Sequence, residues 1–384
     1  MEVQKLKKKI LFFANVDWFF ISHRIAIASA AIENGYEVHV MTLITDKLKE
    51  MQSHGIIVHP IKLSRGGFKL FDLIFSFWEC VTLIRMIKPE ILHLVTIKPI
   101  IIGGIIARIL KINSVIFAIS GFGSLFVQKK KFARLKQRIV RTIYSIVFRH
   151  PNIKVIVQNN DDWRQVASLG ASATDINLIQ GSGVDLQKYF PQKKESDVFT
   201  IVMASRLLAD KGVWDFLDAI TILHSQLLPK HAKIRAILAG SPDPTNPSSI
   251  SFSELAHYCD ETFLEVVGEI NDTSVMFQNS DIVVLPSHRE GMPKVLLEAA
   301  ACGATVVTTD AIGCREAVLH QKTGLIVPLN DPIALANAMF TLYSNPDVCR
   351  NLGEQGAIWA ADTFNIDKVI NQHMTIYNEL SDTE

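Results

Sequence analysis

The chain has 384 residues, with 39 Lys and Arg against 38 Asp and Glu, 48% hydrophobic side chains and five cysteines. That length allows two domains with a core each, and an odd set of cysteines (Cys80, Cys259, Cys302, Cys314, Cys349) with no C-x-x-C pair speaks against a disulfide framework or zinc site and for a reducing, cytosolic compartment. The net charge of +1 conceals an asymmetry: residues 1–190 carry 26 basic and 13 acidic side chains, the remainder 13 and 25, so the first half predicts an anionic partner, either a membrane surface or nucleic acid.

The opening run Lys7-Lys8-Lys9-Ile10-Leu11-Phe12-Phe13 imitates a signal peptide, but Asp17 and then His23-Arg24 interrupt it and no small-residue cleavage pattern follows. It reads as a first strand. Further strands are predicted at about 37–43, 56–61, 90–95, 114–119, 154–158 and 176–179, with helical stretches between them, the alternation of parallel α/β layers. The longest apolar run, Pro99 to Ala107, is closed by Lys98 and Arg108 and falls well short of the ~20 residues a membrane span needs. The turn Ser120-Gly121-Phe122-Gly123 lacks a third glycine, and the loop after the first strand, Ala14-Asn15-Val16-Asp17-Trp18, has none, which argues against a dinucleotide-binding dehydrogenase. His23 precedes a helix facing the strand ends and is a candidate sugar or phosphate contact, whereas His93 lies inside an apolar strand pattern and reads as core.

No acid occurs between Glu90 and Asp161, and within that gap Lys129, Lys130, Lys131, Arg134, Lys136, Arg138 and Arg141 alternate with apolar residues at helical spacing. A basic amphipathic helix of this kind suits an anionic bilayer surface. RNA binding would want aromatics exposed among the basic residues, and Phe132, Tyr144 and Phe148 read as the apolar side of the helix, so no nucleic-acid partner is expected.

The polar segment Gln187 to Asp197 is the expected hinge, giving a first domain of residues 1–190 and a second of 191–366. Second-half strands are predicted at about 199–204, 234–239, 263–267, 281–285, 304–309 and 325–327. After the first of these comes Ser205-Arg206-Leu207-Leu208-Ala209-Asp210-Lys211-Gly212. Arg206 offers a planar fork of donors and Lys211 a compact point charge, and a lysine at a helix start makes most sense with an anion present. Gly240 and Glu269-Ile270 follow two further strand ends, where glycine lets a ligand approach the backbone. The run Asp281 to Leu285 then leads into Pro-Ser-His-Arg-Glu-Gly-Met-Pro-Lys-Val-Leu-Leu-Glu, with Glu290 in the loop and Glu298 one or two turns inside a helix whose first turn holds Pro293. A helix start between two carboxylates favours a phosphate, so a diphosphate there would have a ribose beside one acid and a sugar beside the other. No D-x-D and no His/Cys/Asp cluster of metal spacing occurs, so phosphate charge falls to Arg206, Lys211 and the helix terminus, and no metal is expected.

The pair Glu290 and Glu298, with Glu-Gly-Met-Pro-Lys-Val-Leu-Leu-Glu-Ala-Ala-Ala-Cys-Gly around it and Gly313-Cys314-Arg315-Glu316 beyond, resembles the E-x7-E motif of the retaining glycosyltransferases of family 4. The resemblance implies the GT-B architecture: two doubly wound Rossmann-like α/β domains facing across a cleft, with a last helix from about 367 to 384 returning to the first domain. It assigns Arg206 and Lys211 to the donor diphosphate, Gly240 to the donor pocket, Glu269-Ile270 to the neighbourhood of the base, Glu298 to the donor ribose and Glu290 to the transferred sugar, with Gly291, Met292, Pro293, Lys294 and Val295 lining the donor. Trp18-Phe19-Phe20-Ile21-Ser22-His23-Arg24 stands where many members have a Gly-Gly pair. Together with Lys98-Pro99, Ser120-Gly121-Phe122-Gly123 and Gln158-Asn159-Asn160-Asp161-Asp162, it resembles a subgroup acting on polyprenyl-diphosphate sugars, including N-acetylgalactosaminyl, capsule and O-antigen transferases. His23, Lys98, Ser120, Gly121 and Gly123 are therefore the acceptor-side candidates.

The expectation is a glycosyltransferase on the inner face of the cytoplasmic membrane. It moves an N-acetylhexosamine from a UDP donor, without a metal, onto a polyprenyl-diphosphate-linked sugar in surface polysaccharide or glycan assembly. A sugar-nucleotide epimerase on the same fold, or a non-catalytic membrane adaptor, is the alternative; the epimerase gives no reason for the basic helix.

Overall fold

The computed structural model describes residues 7–63, 70–122, 131–192, 196–258 and 263–381, and the side chains of all of these but 70–74 and 131–136. The chain divides into two compact units, one of Met1–Ser182 with Asp367–Glu384 and one of Gly183–Ile366. Thirteen strands are found among the described residues, each within a residue or two of its predicted place.

The first unit holds β1 (Lys9–Val16), β2 (Glu37–Leu43), β3 (Ile57–Pro60), β4 (Ile91–Val95), β5 (Ser114–Ile119), β6 (Ile153–Val157) and β7 (Ile176–Leu178). They form one parallel sheet in the order β3-β2-β1-β4-β5-β6-β7. Its helices are α1 (Asp17–Glu33), α2 (Leu48–Ser53), α3 (Leu70–Ile87), α4 (Ile97–Leu110), α5 (Lys131–Val147) and α6 (Asn160–Ser168). The chain leaves β1 in one direction as far as β3, then returns past β1 and runs the other way. Right-handed crossovers therefore put α1 and α2 on one face and α3 to α6 on the other. The side chains of β1 alternate accordingly: Ile10 and Phe12 enter a core with Phe20, Ile27 and Met51, whereas Leu11 and Phe13 enter one with Ile84, Ile106, Tyr144 and Val166. A strand covered on both faces is largely apolar, and β4 and β5 are buried at every position, the polar His93 and Ser114 included.

The second unit holds β8 (Phe199–Ala204), β9 (Ile234–Ala239), β10 (Leu264–Gly268), β11 (Ile282–Leu285), β12 (Thr305–Thr309) and β13 (Gly324–Val327), again parallel, in the order β10-β9-β8-β11-β12-β13. Its helices are α7 (Val213–Ile222), α8 (Phe252–Leu255), α9 (Ser274–Gln278), α10 (Lys294–Ala301), α11 (Pro332–Ser344) and α12 (Pro346–Thr363). The strand order reverses at β8, which lies between β9 and β11; such a reversal opens a crevice at the carboxyl ends of the strands.

The last helix, α13 (Ile366–Ser381), packs Val369, Met374, Tyr377 and Leu380 into the α1 side of the first core. Tyr377 Oη lies 2.8 Å from Nδ1 of the buried His93, so His93 is a core residue that ties sheet to helix. The division between the units falls at Ser182/Gly183, ahead of the polar segment from Gln187. Val184 N–H already donates to the Phe364 carbonyl at 2.7 Å, the Val184 carbonyl accepts from Ile366, and Tyr189 is buried in the second core. Within the expected hinge, Lys193, Lys194 and Glu195 lie outside the described residues, as does Cys259.

Candidate functional site

In the second unit the loops after β8 and β11 are built as one piece. After β8 the chain makes a short turn at Ala209–Lys211 and reaches Gly212, with φ of +75°, before α7 begins. Lys211 therefore precedes the helix by two residues. A Cβ on Gly212 would lie 2.0 Å from the Pro286 carbonyl oxygen, so only glycine allows this approach. The Asp210 carbonyl accepts from His288 N–H at 3.0 Å, and Ser287 Oγ lies 3.1 Å from it.

This interlock presents Lys211 Nζ to Glu290, in direct contact with Oε1, and Ser287 Oγ sits 2.7 Å from the same oxygen. The backbone of Glu290 is fixed from a third side: its N–H donates to the Ile312 carbonyl at 2.9 Å, and Gly313, at φ +85°, passes so close that a Cβ would lie 2.4 Å from the Glu290 carbonyl oxygen. Gly313 N–H in turn donates to Glu316 at 2.8 Å. The segment Gly313-Cys314-Arg315-Glu316 thus buttresses the Glu290 turn. Burial pushes the Cys314 thiol above its ordinary range, with the nearby Glu290 carboxylate adding to the effect, so this cysteine is an inert thiol.

Glu298 lies on α10, 8% exposed, with Lys294 Nζ 3.1 Å away across one turn. Pro293 stands at the N-cap, one place earlier than the first-turn position expected of it, because its ψ of 109° is extended. As the N-cap, Pro293 offers no side-chain acceptor to the first N–H groups of α10, and the Leu296 N–H donates to the Pro293 carbonyl at 3.0 Å. Gly291, Met292 and Pro293 are buried, and Lys294 and Val295 half-buried. Tyr189, which received no role from the sequence, packs beside Glu298; burial raises its phenol above the ordinary range and the Glu298 carboxylate reinforces this.

Arg206 projects from the end of β8, more exposed than Lys211, with Nη1 2.8 Å from Asp243. Asp243 also accepts from Thr245 at 2.8 Å, which holds the guanidinium's partner still. Gly240, at φ +147°, sits where a Cβ would be 1.7 Å from the Ser205 carbonyl oxygen, so the glycine locks the ends of β8 and β9 together. Glu269 is exposed and Ile270 half-buried after β10. Arg206 and Lys211 thus follow the end of β8, Glu290 follows β11 in contact with Lys211, and Glu298 lies on the helix after that loop. Two cations and an uncapped helix start suit a diphosphate, and two flanking carboxylates suit hydroxyl-rich groups on either side of it.

The first unit treats its strand ends differently. Asn15 Oδ1 at the end of β1, Thr96 Oγ1 after β4 and Ser120 Oγ after β5 are buried with no hydrogen-bond partner among the described residues, on three neighbouring strands. Thr96 is held at φ +75°, a costly conformation for a β-branched residue, and it opens α4 without capping it. Lys98 is half-buried in the first turn of that helix, and Gly121 has φ +88°. His23 lies inside α1 rather than ahead of a helix, with Nδ1 3.2 Å from the Phe19 carbonyl one turn earlier and its ring stacked on Phe19 at 4.2 Å. Sequence reasoning gave Asn15 and Thr96 no role; a threonine with positive φ leaves no mark on the sequence. Gly123, Lys129 and Lys130 lie outside the described residues, as do the side chains of Lys131, Arg134 and Lys136. Arg138 and Arg141 on α5 are exposed.

Among the described residues no group of three or more His, Cys, Asp or Glu is placed to hold a metal ion, and no helix is long and apolar enough to cross a membrane.

Comparison with known proteins bears on both units. A model described as "Glycosyl transferase 4-like" matches residues 9–160, and one described as "Glycosyl transferases group 1" matches residues 198–345. The chain is 24% identical to N,N'-diacetylbacillosaminyl-diphospho-undecaprenol alpha-1,3-N-acetylgalactosaminyltransferase of Campylobacter jejuni, over 88% of this chain and 92% of that protein. It is also 24% identical to UDP-Gal:alpha-D-GlcNAc-diphosphoundecaprenol alpha-1,3-galactosyltransferase of Escherichia coli, over 80% and 81% of the two. Among solved structures, Anabaena HepE in complex with UDP and glucose shares the fold, with a TM-score of 0.77 at 18% identity over 97% of this chain and all of that one.

Proposed function

The chain belongs to the glycosyltransferases, 4-like in its first half and group 1 in its second, with the GT-B fold, and we propose that it moves an N-acetylhexosamine from a UDP donor onto an undecaprenyl-diphosphate-linked sugar. Transfer occurs with retention, during surface polysaccharide or glycan assembly. The second unit takes the donor and the first unit the acceptor. The observation that carries this reading is the interlocked cluster of Lys211, Ser287 and Glu290 in the loops after β8 and β11, the first of which holds Arg206 and the second of which leads into α10. The acceptor class is supported by two relatives whose names specify diphospho-undecaprenol sugars.

In this mechanism Arg206, Lys211 and the N–H groups at the start of α10 hold the donor diphosphate, Glu298 accepts from the ribose hydroxyls, and Glu290 positions the transferred sugar. The bond from the anomeric carbon to the diphosphate oxygen breaks with its electron pair remaining on that oxygen. The acceptor hydroxyl forms the new bond on the same face and gives its proton to the departing oxygen. Fixed cations placed where negative charge develops lower the barrier more than mobile ones, since they need not reorganise. Gly240 and Glu269-Ile270 border the base, and Asn15, Thr96 and Ser120, with Lys98, Gly121 and His23, meet the acceptor. Neutralisation by Arg206 and Lys211 makes the reaction metal-independent; turnover that is abolished by chelator and restored by magnesium would overturn that part.

The test is to incubate the protein with polyprenyl-diphosphate N-acetylhexosamine and a panel of UDP- and GDP-sugars, reading lipid mass by mass spectrometry. The expected result is a gain of one N-acetylhexosamine from one UDP donor. Conversion of a donor to its epimer with no gain in lipid mass would replace this reading with an epimerase. Glu298→Ala is expected to raise the donor KM about tenfold with kcat changed less, as loss of one binding contact does.

A further inference from the structure

The helices α3, α4 and α5 cover one face of the first sheet, with α4 between the other two, and their inward residues Cys80, Val81, Ile84, Val140 and Tyr144 share one core. The outward surface of this layer is not polar. On α3, Phe75 is 77% exposed, Trp78 61% and Met86 64%, and they recur with Thr82 at i, i+3, i+7 and i+11, a single stripe along the helix. On α5, Ile139 and Ile146, two turns apart, are 53% and 46% exposed, and Ile109 at the end of α4 is 59% exposed. The exposed charges among them are basic: Arg85 and Lys88 beside the stripe, Arg108 and Lys111 at the end of α4, Arg138 and Arg141 along α5, and Arg149 just past its end. The described acids of this layer are the half-buried Glu79, whose carboxylate accepts from Lys62 N–H, and the half-buried Glu90, which accepts from Lys9 N–H.

Large aromatic and aliphatic side chains standing in water amid guanidinium and ammonium groups are the composition of a surface that inserts shallowly into an anionic lipid interface. Apolar tips enter the acyl boundary, tryptophan sits at headgroup depth and the cations meet lipid phosphates. A protein partner with acidic side chains would satisfy the cations but gives no reason for an aromatic stripe flanked by basic residues on three successive helices. We propose that the outer face of α3 to α5 docks on an anionic bilayer, with Phe75, Trp78 and Met86 inserted and Arg138 and Arg141 on the headgroups. The proposal rests on the reading of this chain as a transferase for a lipid-linked acceptor, which it extends by adding α3 to the basic helix and by assigning the inserted residues.

Vesicles of phosphatidylglycerol and phosphatidylcholine test it by co-sedimentation, against phosphatidylcholine alone, with the wild type, Phe75→Ser/Trp78→Ser and Arg138→Glu/Arg141→Glu. Binding to the anionic vesicles is expected, weakened about tenfold or more by each double variant, and salt is expected to weaken the wild type and the aromatic variant but hardly the charge variant. Vesicle lipids brominated near the headgroup are expected to quench wild-type tryptophan fluorescence and to lose most of that effect in the aromatic variant. Sugar transfer to a water-soluble short-chain acceptor, followed in parallel, is expected to be unchanged in both variants. That comparison separates the two readings: transfer without vesicle binding overturns the docking face alone, whereas vesicle binding without transfer overturns the acceptor reading. Equal vesicle binding by all three proteins overturns the proposal, as does a change in oligomeric state in the aromatic variant with vesicle binding intact, which would make the stripe a contact between copies.

Discussion

The two units share one plan, a parallel sheet whose strand order reverses beside its central strand, yet they finish several of their strand ends differently. In the second unit the polar side chains there hold one another: Lys211 and Ser287 on Glu290, Asp243 on Arg206, Lys294 on Glu298. Glycines at 212, 240 and 313 bring the backbones of neighbouring loops into contact. In the first unit Asn15, Thr96 and Ser120 end neighbouring strands with buried polar atoms that have no hydrogen-bond partner among the described residues. A self-satisfied cluster is preorganised and part of the fold, whereas a buried group without a partner costs stability and is retained where a ligand uses it. Under the proposed function, the preorganised half suits a ligand of fixed shape, the nucleotide sugar, and the unsatisfied half suits the acceptor.

Glu290→Ala attacks this contrast hardest. It removes the carboxylate at the centre of the cluster, and turnover is expected to fall about 10²–10³-fold with donor KM moved far less, in steady-state kinetics on the lipid acceptor. A loss of turnover under tenfold would mean that the cluster is structural. Gly240→Ala comes next, because its Cβ would overlap the Ser205 carbonyl at a backbone angle alanine resists. It is expected to destabilise the second unit by about 3 kcal/mol in denaturant unfolding, read by hydrogen exchange on β8 and β9.

The first unit should instead be the acid-sensitive one. Burial, with Arg24 nearby and the Val369 carbonyl opposing, pushes His373 down to about 3, and burial with His373 and Arg24 beside it drives His93 well below its ordinary value. Both are neutral when folded and take up protons near pH 6.5 when unfolded. Their contribution is therefore intact above about pH 6.5 and is lost as pH falls toward 3, at up to roughly 1.4 kcal/mol per pH unit for each. Hydrogen exchange on α13 between pH 7 and 5 should show protection falling, with a shallower slope in His373→Gln; identical slopes would contradict the account. The smallest effect belongs to Ser120→Ala. Stability is expected to hold or to rise by up to about 1 kcal/mol while the acceptor KM rises several-fold, since this buried hydroxyl has no hydrogen-bond partner among the described residues.

Much of this was legible beforehand. Strands buried on both faces are largely apolar runs, so β4, β5 and β11 announced themselves, and strand–loop–helix context placed Glu290 in a loop and Glu298 inside α10. What escaped were non-local facts. The segment after Gln187 is polar like a linker, but the chain is already anchored to the second unit at Val184 by Phe364 and Ile366, far away in sequence. That Gly212 and Gly313 mate with the carbonyls of Pro286 and Glu290 depends on loops from different strands. The run from Leu70 to Ile87 is apolar nearly all round, so the sequence could not say that Phe75, Trp78 and Met86 would face outward.

The division of labour between the units is tested most directly by calorimetric titration of the UDP-sugar donor, without acceptor, into the wild type, Glu298→Ala and Ser120→Ala. The expected result is binding to the wild type, about tenfold weaker binding to Glu298→Ala, and unchanged binding to Ser120→Ala. Equal weakening by both substitutions, or none by Glu298→Ala, would contradict it.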